Sequence, residues 1–78
     1  MDIDTYISVS SEICHGQPCF KGTRIMVYLI LEMLEAGETV EQILKSYPSL
    51  TLDSVRAALH YAAEVIKSER FFPFSSTA

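Results

Sequence analysis

Apolar residues in the middle of this chain recur at the spacing of one helical face. Val27, Ile30, Leu31 and Leu34 follow the i, i+3, i+4, i+7 rhythm, and Gly37 stands where a C-terminal cap belongs. The pattern predicts a first helix over about 26–36. Leu29 and Met33 widen its apolar surface beyond one stripe, which implies burial on two sides. A second helix is expected over 40–47, opened by the capping-box spacing of Thr39 and Gln42. Ile43, Leu44 and Tyr47 supply its inward face, and Pro48 ends it, because a residue before proline is driven out of the α region. A third, longer helix is expected over 52–69, with Thr51 as cap, Asp53 in the first turn and Leu50 placed to staple against Val55. Its inward stripe reads Val55, Ala58, Leu59, Ala62 and Ile66, leaving Ser54, Arg56, His60 and Glu64 largely outward.

Ahead of the helices the rhythm changes. Residues 6–10 alternate and include β-branched side chains, as a short strand does. His15-Gly16-Gln17-Pro18 is a turn, and 19–21 is a second short strand closed by Gly22. Strands this short need a helix or a second subunit to pack against. The expected class is mainly α: a three-helix bundle preceded by two short β-strands, one domain over 1–70, with an aromatic C-terminal tail at 71–78.

Composition adds a partner. Of 78 residues, 49% are hydrophobic, yet a chain of this mass hides only about 60% of its unfolded surface on folding. The surplus points to a subunit interface, and a homodimer is expected. The net charge of −4 speaks against nucleic acid at first sight. The acids are clustered, however: Asp2, Asp4 and Glu12 near the start, and Glu32, Glu35, Glu38 and Glu41 along the first helix and its exit. Lys21 and Arg24 stand close together, and from Asp53 onward acids and bases balance. The first residues lack a basic-then-apolar leader, and the apolar run 25–31 is far too short to cross a bilayer. A cytoplasmic protein with no membrane partner is therefore expected, with Cys14 and Cys19 as reduced thiols.

A short helix, a turn over 48–51 and a longer amphipathic helix have the organisation of a helix-turn-helix. In that arrangement Ser54, Arg56 and His60 would face a DNA groove, with Ala57 small enough for close approach. The same spacing also describes two sides of an ordinary small bundle carrying one exposed arginine. Gly22 lets the chain turn from strand into helix, which sets Lys21 and Arg24 near the first helix's N-terminus, where they could clamp phosphate. The competing role for Arg24 is structural, bonding a carboxylate or the last carbonyls of a neighbouring helix.

Other chemistry is poorly supported. Cys14, His15, Cys19 and His60 fall short of a structural zinc site, which wants two close ligand pairs, since His60 has no partner. Neither cysteine has an orienting third group for nucleophilic catalysis. No phosphate-binding loop or dinucleotide fingerprint is present. No enzyme activity and no cofactor are expected. Phe71, Phe72 and Phe74, around Pro73, either fold back onto the core or serve as aromatic anchors for a protein partner.

The segments 12–25, 36–50 and 55–63, with the Lys21-Gly22-Thr23-Arg24 tetrapeptide, the Tyr47-Pro48-Ser49-Leu50 turn and the Ala58-Leu59-His60-Tyr61-Ala62 run, closely resemble the bacterial domain-of-unknown-function family numbered 433. The resemblance implies a homeodomain-like, dimeric helix-turn-helix fold. It also implies an antitoxin of VapB type, which neutralises a PIN-like ribonuclease toxin and binds operator DNA to regulate its own transcription. The alternative is a homodimeric protein-interaction module without DNA binding. Two positions depart from the family: its usual proline after Thr23-Arg24-Ile25 is Met26, and its usual small residue after Cys14 is His15. The aromatic tail lies outside the resembling segments.

Overall fold

The structure, a computed structural model, describes residues 1–68. It is mainly helical, with a two-stranded antiparallel sheet near the N-terminus. A single helical turn, α1 (Ile3–Tyr6), is capped by Asp2, whose carboxylate accepts from the Asp4 amide at 3.1 Å. The chain then enters β1 (Ile7–Ser8), which pairs with β2 (Cys19–Phe20) in the register Ile7 to Phe20 and Ser8 to Cys19. The first strand is shorter than the expected 6–10 because Tyr6 belongs to α1 and Val9 turns out to solvent, 58% exposed.

Between the strands runs a tight 3₁₀ turn, Cys14–Gly16, in which Cys14, His15 and Gly16 all take positive φ (53°, 55° and 83°). The left-handed region disfavours bulky side chains, so His15 holds this turn at a conformational cost. After β2 the Lys21–Arg24 turn reverses the chain. Gly22 adopts φ 79°, and the Thr23 hydroxyl donates to the Phe20 carbonyl (2.7 Å) while accepting from the Ile25 amide (3.0 Å). The Val27 amide donates to the Pro18 carbonyl at 3.0 Å, so the start of the next helix is pinned to the strap, the segment 9–26 between β1 and that helix, rather than to a capping side chain.

Three helices follow. α2 (Val27–Glu35) ends in a Schellman motif: the Glu38 amide reaches the Met33 carbonyl and the Gly37 amide the Leu34 carbonyl, both at 3.0 Å, with Gly37 at φ 94°. α3 (Val40–Ser46) opens with the expected capping box, Thr39 amide to Gln42 Oε1 at 2.8 Å and Gln42 amide to Thr39 Oγ1 at 3.1 Å. The turn through Pro48 leads to α4 (Leu52–Ser68), which packs against α1, α2 and α3. The core gathers Ile7, Phe20, Val27, Ile30, Ile43, Leu50, Val55, Ala57 and Ala58.

α4 is rotated relative to the stripe read from its sequence. Leu59 and Ile66, expected inside, are 51% and 70% exposed, whereas Ser54 and Ala57, expected outside, are buried. The adjacent pair Ala57 and Ala58, both fully buried, forms the closest line of packing. Small side chains there let three neighbouring elements approach the backbone, which leaves no room for the bulkier Leu59 and Ile66 at the centre. No helix among the described residues is long and apolar enough to cross a membrane.

Candidate functional site

The outer face of α4 is built by helical spacing. Arg56, His60, Ala63 and Lys67 recur at steps of four, three and four, and all four are exposed. Arg56 Nη1 lies 3.7 Å from Asp53 Oδ1, and Lys67 Nζ lies 3.5 Å from Glu64 Oε2. Such exposed i, i+3 pairs contribute little energy, about 0–1 kcal/mol, so either cation is released readily to another anion. Two acids offset two bases along this face. Leu52 and Leu59 flank it, each about half exposed.

The expected DNA-contact residues therefore separate. Arg56 and His60 share the outer face. Ser54 is removed from that set: it is 8% exposed and bonded within the helix cap. Lys21 donates from Nζ to the Asp4 carbonyl and borders a cleft with Ile3, Ile7 and Tyr61, so it ties the sheet to α1 and lies beside the inner side of α4. Arg24 is exposed and borders depressions shared with Glu12, His15 and Met26 on one side and with Ser8 and Ile13 on the other. Its side chain makes no ion pair among the described residues, while its carbonyl accepts from the Cys14 thiol at 3.5 Å. The expected partner anchors Phe71, Phe72 and Phe74 lie outside the described residues.

A second surface was not read from the sequence. The Gln17-Pro18 corner, α2 and the last two turns of α4 enclose an apolar groove lined by Pro18, Tyr28, Leu31, Tyr61, Val65 and Ile66. Three of these are conspicuously open: Tyr28 is 45% exposed, Val65 38% and Ile66 70%. The apolar breadth of α2 was the available signal: Met33 packs against the core, while Tyr28 and Leu31 face this groove. At the other end of the strap, Cys14 and Cys19 are free thiols, 7% and 1% exposed. Among the described residues no three or more His, Cys, Asp or Glu side chains converge as metal ligands: His15 is exposed on the strap and His60 on α4.

These features meet known proteins at three points. An uncharacterized protein of Sinorhizobium fredii, y4eO, is 38% identical over 56 residues, covering 72% of this chain but 25% of its own length. A crystal structure of a DUF433 member from Anabaena variabilis superposes with a TM-score of 0.76 at 28% identity, over 83% of this chain and 64% of that one. This chain thus spans about a quarter of the first protein and under two thirds of the second. The family model described as a protein of unknown function, DUF433, matches residues 7–62, which run from β1 through the strap and the α2–α3 pair into the middle of α4. With both the sequence pattern and the fold in agreement, the chain belongs to the DUF433 family.

Proposed function

We propose that this protein is an antitoxin-like interaction module that works as a homodimer and neutralises a PIN-like ribonuclease. The observation that carries the reading is the apolar groove between α2 and α4, where Tyr28, Val65 and Ile66 stay open to solvent on a chain with few polar groups nearby. A second copy of the chain is the occupant that the composition favours, since 49% hydrophobic residues exceed what so small a core encloses. Phe71, Phe72 and Phe74 then serve as anchors for the ribonuclease, as the aromatic content of that segment favours.

The test combines assembly with inhibition. Sedimentation equilibrium gives a dimer for the wild-type chain and a folded monomer for Ile66→Glu. The ribonuclease encoded by an adjacent reading frame loses activity when the wild-type chain is added, and regains it when residues 71–78 are removed while the dimer persists. A wild-type monomer at micromolar concentration, or ribonuclease activity unchanged by the full chain, refutes the proposal.

A second reading, operator binding, is favoured by the exposure of Arg56 and His60 on a helix that follows a short brace and a tight turn. The acids beside Arg56 and Lys67 weigh against it. Binding to its own upstream DNA that weakens steeply with salt supports it; absence of binding at low ionic strength by a folded dimer excludes it.

A further inference from the structure

Two buried thiols converge on one turn of the strap. The Cys14 thiol donates to the Arg24 carbonyl at 3.5 Å, and the Cys19 thiol donates to the Thr23 carbonyl at 3.7 Å. Thr23 and Arg24 are consecutive, so both thiols bond to the same stretch of backbone, and the Cys19 thiol is the leading influence that raises the Cys14 pKa. Cys19 is almost sealed, 1% exposed, while Cys14, 7% exposed, forms part of a surface depression lined by Glu12, His15, Arg24 and Met26. One thiol is thus reachable by a small molecule and the other waits behind it. We propose that Cys14 and Cys19 are a peroxide-reactive dithiol, in which Cys14 is oxidised first and Cys19 resolves it to an intramolecular disulfide.

The chemistry balances. The Cys14 thiolate attacks one oxygen of hydrogen peroxide; the O–O bond breaks, an S–O bond forms, and the leaving hydroxide takes a proton to become water. Cys19, as thiolate, then attacks the Cys14 sulfur. The S–O bond breaks, the S–S bond forms, and the hydroxide leaves with the second proton as water. Two thiols have lost two electrons, and one peroxide has gained them. The neighbouring Cys19 thiol and burial raise the Cys14 pKa, against a smaller opposing pull from Arg24 in the lining of the depression. The first step therefore accelerates as pH rises toward the alkaline range.

Oxidation also changes the turn. Both sulfurs lose their hydrogens, so the Thr23 and Arg24 carbonyls lose their sulfur donors together. That releases the turn between β2 and α2, whose other ties are the Thr23 hydroxyl bonds to Phe20 and Ile25.

The experiment uses the full chain, fully reduced and then exposed to hydrogen peroxide. Excess peroxide is removed, the protein is unfolded, and its thiols are alkylated and counted by intact mass. The expected product is a monomeric chain lighter by two hydrogens with no alkylated cysteine, restored to two alkylated cysteines by dithiothreitol. The Cys19→Ser variant accumulates a Cys14 sulfenic acid trapped by dimedone, and Cys14→Ser reacts at least tenfold more slowly than wild type. Because alkylation is done on unfolded chains, a destabilised variant is still read, and circular dichroism shows whether it entered the reaction folded. Two thiols still alkylatable after wild-type treatment, disulfides that form only between chains, or Cys19 as the faster-oxidised residue would each overturn the proposal.

Discussion

Thr51 and Ser54 cap α4 reciprocally: the Ser54 amide donates to Thr51 Oγ1 at 3.2 Å, and the Thr51 amide donates to Ser54 Oγ at 3.1 Å. The arrangement is a capping box in which serine takes the place usually held by Glu or Gln. Ser54 is buried within this cap, turned inward with the packed side of α4, so it is not presented to a DNA groove. Ser54→Ala is expected to cost about 1 kcal/mol, seen as a lower urea midpoint, and to leave any DNA affinity unchanged. Thr51→Ala should cost about the same, and the double variant less than the sum, because both remove one shared unit. Additive losses would show that the two side chains act separately.

Gly37 closes α2 at φ 94°, and nothing lies within 4 Å of the place a Cβ would occupy. Substitution therefore meets backbone strain alone. Gly37→Ala loses roughly 1–2 kcal/mol to the left-handed conformation and regains about 0.4–1 kcal/mol through a less flexible unfolded chain. The net expectation is a modest loss of stability, smaller for Gly37→Asn, measured by denaturant unfolding. Equal or greater stability of the alanine variant would mean that the Schellman geometry is not kept in solution.

Arg56 separates folding from binding. It is exposed, and its only ion pair among the described residues, with Asp53, is a weak surface contact. Arg56→Ala should therefore change stability by less than about 0.5 kcal/mol. If the outer face of α4 reads a base, DNA affinity falls by about 1–3 kcal/mol, as fluorescence anisotropy would register. Undiminished affinity would move the DNA contact elsewhere and remove this helix face from that role.

Cys14 gives the fold a pH signature. Its thiol sits above the ordinary cysteine range because of the hydrogen-bonding Cys19 thiol, burial and the Cys19 charge, against an opposing pull from Arg24. A folded pKa above the unfolded one means the fold prefers the protonated thiol. That contribution is complete below the unfolded value of about 8.5 and is lost as pH rises through the folded value. Under reducing conditions, urea midpoints compared between about pH 7 and about pH 10 should fall more for wild type than for Cys14→Ala. Equal falls would refute the coupling.

Much of the architecture was legible because it rests on local rules. Thr39 and Gln42, Pro48, Gly37 and the i, i+3, i+4 spacing of α2 act over a single turn, so they fixed three helices to within a residue or two at the described ends. The α1 turn was missed because Asp2 caps it outside any apolar rhythm. Of the candidate site, Arg56 and His60 were found together, since they share one helix face. The bond from Lys21 to the Asp4 carbonyl was not legible, because that carbonyl is seventeen residues away and carries no side-chain signal.

The sequence by itself determined where the helices begin and end, where the chain reverses, and that apolar surface would be left over. Those properties depend on neighbours along the chain and on totals. Only the tertiary structure decided how far α4 turns about its axis, that Ser54 and Ala57 go inside while Leu59 and Ile66 come out, and that Cys14 and Cys19 meet at one pair of carbonyls. Periodicity names a stripe but not the neighbours that fill against it. Close packing of α4 on three other elements settles that question, and it favours the smallest side chains at the point of nearest approach.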